Sequence, residues 1–125
     1  MPHLVIEHSS NIKKSAILAL QTGVQEIMLS IPEGNFDPDQ CKCRSHSFDE
    51  YLVGRPNQTT SSFLHVTIKI LSGRSIEVQK KLAAKTAELS QKIFNELALT
   101  TTRCDISVDI VEMNRDTYQK IRIGA

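Results

Sequence analysis

Apolar and polar residues recur along this chain with two periods, and the places where the period changes mark its elements. His3-Leu4-Val5-Ile6-Glu7-His8 is short and β-rich, and Ser9-Ser10-Asn11 behind it is a cluster of the kind that caps a helix. From Ile12 the residues Ile12, Ala16, Ala19, Leu20, Val24, Ile27, Met28 and Ile31 return every three or four positions, which predicts an amphipathic helix ending near Pro32-Glu33-Gly34. Beyond a turn-rich stretch over 34–39, Cys41 to Phe48 alternates strictly. As a strand it puts Cys41, Cys43, Ser45 and Ser47 on one face and Lys42, Arg44, His46 and Phe48 on the other. Gly54 to Thr60 reads as a polar loop. Phe63 to Ile70 is the strongest strand, with Leu64, Val66, Ile68 and Ile70 on one face. Ser72-Gly73-Arg74-Ser75 then turns the chain, and Ser75 is placed to cap a long helix carrying Ile76, Leu82, Ala83, Leu89, Ile93 and Leu97. Cys104 to Val111 alternates again as a strand, and the tail from Asn114 is expected to form a short extension or a helical turn.

The predicted order is β-α-β, loop, β-α-β, and the two halves share one layout. An internal duplication explains this economically, with pseudo-repeats at about 2–54 and 62–113 inside a single domain spanning 1–125. Each βαβ unit should be right-handed with parallel strands. The expected fold is therefore α/β (α+β): a four-stranded sheet with two helices on one face. An apolar second face would have to be covered, so assembly with further copies is expected.

Composition narrows the function classes. With 125 residues the chain suits one core, and a formal charge of +1 lacks the basic excess of a nucleic-acid binder. No apolar run reaches the length of a membrane span, and the N-terminus lacks a signal-peptide pattern, so a cytoplasmic location with no membrane partner is expected. Three cysteines are an odd number, which argues against a disulfide framework. Cys41-Lys42-Cys43 with His46 has one residue between the thiols and no second pair, a poor spacing for zinc, and no metal site is expected.

Pro2 behind Met1 is the most informative chemical feature. If Met1 is removed, Pro2 ends the chain in a secondary amine, a candidate base; while Met1 remains, the same nitrogen is an amide. Met-Pro alone is a common start. Together with Met1-Pro2-His3, Ile6-Glu7, Asn11-Ile12, the strand Phe63 to Ile70, Gly73-Arg74-Ser75 and the duplicated layout, the chain resembles the tautomerase superfamily, and within it the 5-carboxymethyl-2-hydroxymuconate Δ-isomerases. The resemblance implies a homotrimer whose sheets enclose a barrel-like space. It also implies Pro2 as general base and Arg74 as the grip on a substrate carboxylate. A second family arginine falls on Lys42, with Arg44 matching another basic residue two positions on. Lysine offers a point charge where arginine offers a bidentate fork. The implied partners are a small-molecule carboxylate substrate and further copies of the chain.

Such a reaction moves a double bond by proton transfer and needs no cofactor. The base must be neutral near pH 7; an α-amino group starts at about 7.7–8.0, and burial beside Arg74 and Lys42 would lower it. The same cations would hold carboxylates and stabilise a dienolate. Arg74 at a helix start is mildly unfavourable unless an anion joins it there. His3 lies beside the proposed base and is placed to shape its pocket, while Phe63 and Tyr51 are candidate apolar walls for a neighbouring subunit's site. Two other readings use the same fold: a tautomerase acting on a smaller enol such as phenylenolpyruvate, and a non-catalytic trimeric binding protein, which a retained Met1 would favour.

Overall fold

A computed structural model describes residues 2–55, 61–97 and 103–124. Met1, most of the expected 54–60 loop and the Leu97 side chain lie outside the described residues. The elements are β1 (His3–Ser9), α1 (Lys14–Leu29), β2 (Lys42–Phe48), β3 (Ser62–Leu71), α2 (Ile76–Leu97) and β4 (Cys104–Met113), with short 3₁₀ turns at Pro32–Gly34 and Pro38–Gln40. The sheet order is β2-β1-β3-β4. β1 runs parallel to β2 and β3 parallel to β4, while the central β1–β3 pair is antiparallel. Two βαβ units thus meet along their first strands.

Period-2 alternation decides what each strand buries. Leu4 and Ile6 of β1 and Leu64, Val66, Ile68 and Ile70 of β3 are fully enclosed beneath the helices. α1 contributes Ala16, Ile17, Leu20, Val24 and Met28 to that core, and α2 contributes Val78, Leu82 and Ile93. The helices approach closely at Gly23, where a Cβ would sit 2.4 Å from Leu89 Cδ2. A larger residue there requires the Leu89 side chain to move.

Capping differs between the two helices. Ser75 Oγ accepts from the Val78 N–H at 3.2 Å, so α2 is capped as its sequence suggests. The Ser9-Ser10-Asn11 cluster does not cap α1; the helix begins behind Lys13 with no side-chain cap. Instead Ser9 Oγ accepts from the Phe63 N–H at 3.1 Å and donates to Asn11 Oδ1 at 2.6 Å, tying the end of β1 to β3. A cross-strand donor has outcompeted the helix for that hydroxyl. Ile76, expected in the core, is 57% exposed because it occupies the first turn, beyond the edge of the sheet-facing stripe.

The helix-free face of the sheet corrects the expectation of a bare apolar surface. Cross-strand register lines up Lys42, His3, Lys69 and Val111, then Arg44, Val5, Thr67 and Asp109, then His46, Glu7, His65 and Ser107. Most of these groups are polar or charged and tolerate water. Hydrophobic exposure therefore does not by itself demand a covering partner here. Among the described residues no helix is long and apolar enough to cross a membrane.

Candidate active site

Strand direction gathers the candidate residues. β1 and β2 begin, and β3 and β4 finish, at the same end of the sheet. That end carries Pro2, Lys42, the β3–α2 turn with Arg74, and the segment following β4. Pro2 is buried, and its carbonyl accepts from the Lys42 N–H at 3.0 Å, so the first residues of β1 and β2 are fixed to each other.

The segment after β4 is neither a strand nor a helix; after a turn at 115–117 it crosses the end of the sheet. The Arg115 N–H donates to Ser72 Oγ at 3.2 Å and Arg115 Nε to the Ser72 carbonyl at 3.0 Å, fastening it to the end of β3. Tyr118 then meets His3 on β1, hydroxyl to Nε2 at 2.9 Å. Lys120 and Arg122 both reach the Gln40 side-chain carbonyl, just ahead of β2. The segment is a strap across all the strand ends.

Arg74 leaves the β3–α2 turn and lies against the segment following α1. Its Nε donates to the Gly34 carbonyl at 2.8 Å, Nη1 to Leu71 at 3.2 Å and Nη2 to Asn35 at 3.4 Å, while Cζ sits 4.4 Å from the centroid of Phe36. Three of the five guanidinium N–H groups are thereby used, and the remainder are oriented without freedom to rotate. Gly73 permits the turn with φ of +120°, a region costly to any side-chain-bearing residue. Desolvation, together with nearby Arg115, holds Arg74 below the ordinary arginine range.

Lys42 and Arg44 share the open face of β2, as their alternation indicates. Lys42 Nζ donates to the Gln40 carbonyl at 3.0 Å, and Arg44 Nη1 lies 3.1 Å from His3 Nδ1. A guanidinium only donates, so His3 Nδ1 must be the acceptor and the neutral ring carries its proton on Nε2. His3 therefore donates to the Tyr118 oxygen. Burial, with Arg44, Lys42 and Lys69 in support, lowers the His3 pKa and keeps this arrangement at neutral pH.

A cleft of about 660 Å³ opens at this end, lined by Glu33, Asn35, Gln40, Arg74, Ser75 and Arg115 among others. Pro2 does not line it, and neither do Lys42 and Arg44; they stand at the same end of the sheet, linked to the cleft through Gln40. Sequence reasoning missed Arg115, Tyr118 and Phe36. The first two lie in a segment with no periodicity, and Phe36 follows a left-handed Asn35 (φ 55°) in a turn that local patterning could not orient. Cys41 and Cys43 hold their sulfurs 3.7 Å apart, and the hydrogen bonds from Cys41 and Gln25 lower Cys43 to about 6 while Cys41 is raised. His46 lies on the opposite face of β2 from Cys43, which separates the residues of the Cys-Cys-His motif.

A mixed sheet of two βαβ units, joined at antiparallel first strands and presenting its chain start, a turn arginine and basic strand residues at one end, defines the tautomerase-superfamily class. Among solved structures, a 5-carboxymethyl-2-hydroxymuconate isomerase from Deinococcus radiodurans R1 superposes with a TM-score of 0.84 at 24% identity, covering 98% of this chain and 90% of that one. A 5-carboxymethyl-2-hydroxymuconate delta-isomerase superposes with a TM-score of 0.72 at 19% identity over 99% and 89% of the two chains. A fused 4-OT described as a symmetric trimer gives 0.69 at 12% identity over 91% and 88%. These likenesses establish the fold. A search of curated proteins returned no match. The sequence profile of the 5-carboxymethyl-2-hydroxymuconate isomerase family matches residues 2–123, and the chain belongs to that family. Membership supports an isomerase of the tautomerase superfamily.

Proposed function

We propose that the protein isomerises 5-carboxymethyl-2-hydroxymuconate or a closely related multi-carboxylate dienol, with the Pro2 amine, freed by removal of Met1, as general base. The family match over 2–123 carries the reading. In this scheme the amine takes a proton from one position of the substrate and returns it to another, so the double bonds shift and no atom is gained or lost. Pro2 is buried, which favours its neutral form, and the cations of Lys42 and Arg44 lie on the adjacent strand to oppose its protonation. Arg74, held by Gly34, Leu71 and Asn35, presents a fixed cation to a carboxylate without an ordering cost at the moment of binding. We also propose that the protein works as a homotrimer in a cytoplasmic setting, as one neighbour's description as a symmetric trimer suggests.

A continuous ultraviolet assay of 5-carboxymethyl-2-hydroxymuconate isomerisation tests the reading, using protein whose intact mass shows Met1 removed. The wild type should accelerate loss of the dienol signal, and Pro2→Ala should lower kcat by about a hundredfold or more, the usual worth of a positioned base. No acceleration by the wild type would overturn the substrate. An undiminished rate in Pro2→Ala would overturn the base.

A further inference from the structure

We infer that Arg115, brought by the strap to the cleft beside Arg74, is a carboxylate-binding residue that selects substrates carrying more than one carboxylate. The inference rests on the isomerase reading for its substrate class and on the geometry for its place. Arg115 is anchored at its backbone N–H and at Nε, both on Ser72, so the position of its guanidinium is set by the end of β3. Its terminal nitrogens have no protein acceptor among the described residues. The guanidinium lies beside the β3–α2 turn, with Arg115 Nη2 3.7 Å from where a Cβ on Gly73 would stand, an ordinary contact distance.

Two guanidinium groups therefore line one cleft of about 660 Å³, ample for a small polycarboxylate. Among the described residues neither Glu33 nor Asp37 forms an ion pair with Arg74 or Arg115. Glu33 is tied to Lys81 at 2.6 Å, and Asp37 accepts from the Asp39 N–H at 3.1 Å. Burial, and behind it the charge of Arg115, holds Arg74 below the ordinary arginine range, so the two like charges repel each other at the cleft. A bound carboxylate removes that repulsion. Arginine's fork also supplies the bidentate geometry that Lys42 cannot, so the strap provides on one side of the site what β2 lacks on the other.

The test compares Arg115→Ala and Arg115→Lys with the wild type on 5-carboxymethyl-2-hydroxymuconate and on the mono-acid phenylenolpyruvate. Loss of a charge-assisted hydrogen bond should raise the ratio of the two KM values by about tenfold in Arg115→Ala, with kcat changing far less and Arg115→Lys falling between. An unchanged ratio would overturn the assignment. Calorimetric titration with propane-1,2,3-tricarboxylate gives a readout independent of turnover. Binding weakened about tenfold by Arg115→Ala supports the subsite even if the wild type proves to isomerise neither enol, an outcome that would sink only the isomerase reading. No binding to the wild type, or equal binding to both proteins, would overturn the subsite whatever the catalytic result.

Discussion

The two ends of the helix-free sheet face are built from opposite chemistry. At the end where β1 begins, His3, Lys42, Arg44 and Lys69 are joined by strap residues Arg115, Lys120 and Arg122, and desolvation together with this crowding depresses both His3 and Lys120. At the far end, Phe48 and Tyr51 each pack a tilted ring against Phe63, at centroid distances of 6.2 and 5.8 Å, around a hollow of about 530 Å³ that also holds Glu7, Glu50 and Asp105. There the polar groups satisfy one another: Tyr51 donates to the Ser61 carbonyl, His65 meets Ser107, and Asp105 engages Arg103 through both oxygens. Cations crowd the first end, whereas at the second Tyr51, His65 and Asp105 each hold a hydrogen-bond partner. A near-neutral chain can thus gather cations at one end of its sheet, because what matters is where charge accumulates rather than its sum.

This contrast can be broken in three ways, in falling order of effect. Removing both β2 cations with Lys42→Ala and Arg44→Ala should raise KM for a multi-carboxylate substrate by tenfold to about a hundredfold, at roughly one charge-assisted contact each, with little change in the urea midpoint. A large midpoint shift with unaltered KM would show that this end, too, is structural. Ser9→Ala, near the aromatic end, should do the converse. Ser9 is buried and its hydroxyl serves the Phe63 N–H, so losing it should cost about 1–3 kcal/mol of stability in urea unfolding and leave KM unmoved. The smallest effect belongs to His3. Because its folded pKa lies below its ordinary 6.5, the unfolded chain takes up the proton first as pH falls. Stability is then present above about pH 6.5 and is lost on acidification toward the folded pKa. His3→Gln should flatten the fall of the urea midpoint between pH 7 and pH 5, and an unchanged slope would assign that pH dependence to other groups.

Much of the fold was legible because strands and helices write their periods locally. The alternation of Leu64, Val66, Ile68 and Ile70, and that of Cys43 against Lys42 and Arg44, map directly onto the two faces found. Ser75 was legible as a cap because no other partner competes for its hydroxyl, whereas Ser9 was misread because its competitor, the Phe63 N–H, lies 54 residues away. The same distance problem hid part of the candidate site. Lys42 and Arg44 could be placed on a face from alternation, and Arg74 from its turn. Arg115 and Tyr118 owe their positions to contacts with Ser72 and His3, which no local period encodes. The polar character of the open face was present in the same alternation that revealed the core; the error lay in assuming that both faces of a sheet must be apolar.

The strap joins parts of the chain that are far apart in sequence. The hydroxyl that meets His3 belongs to Tyr118, 115 positions later. β1, α1 and β2 all precede the strap in the chain, so the end of the sheet where the cations meet is assembled from residues at both extremes of the fold. The segment after β4 adds no side chain to the buried hydrophobic core among the described residues. What it adds instead is polar contact, through Arg115, Tyr118 and Lys120, between the ends of strands that pack without it.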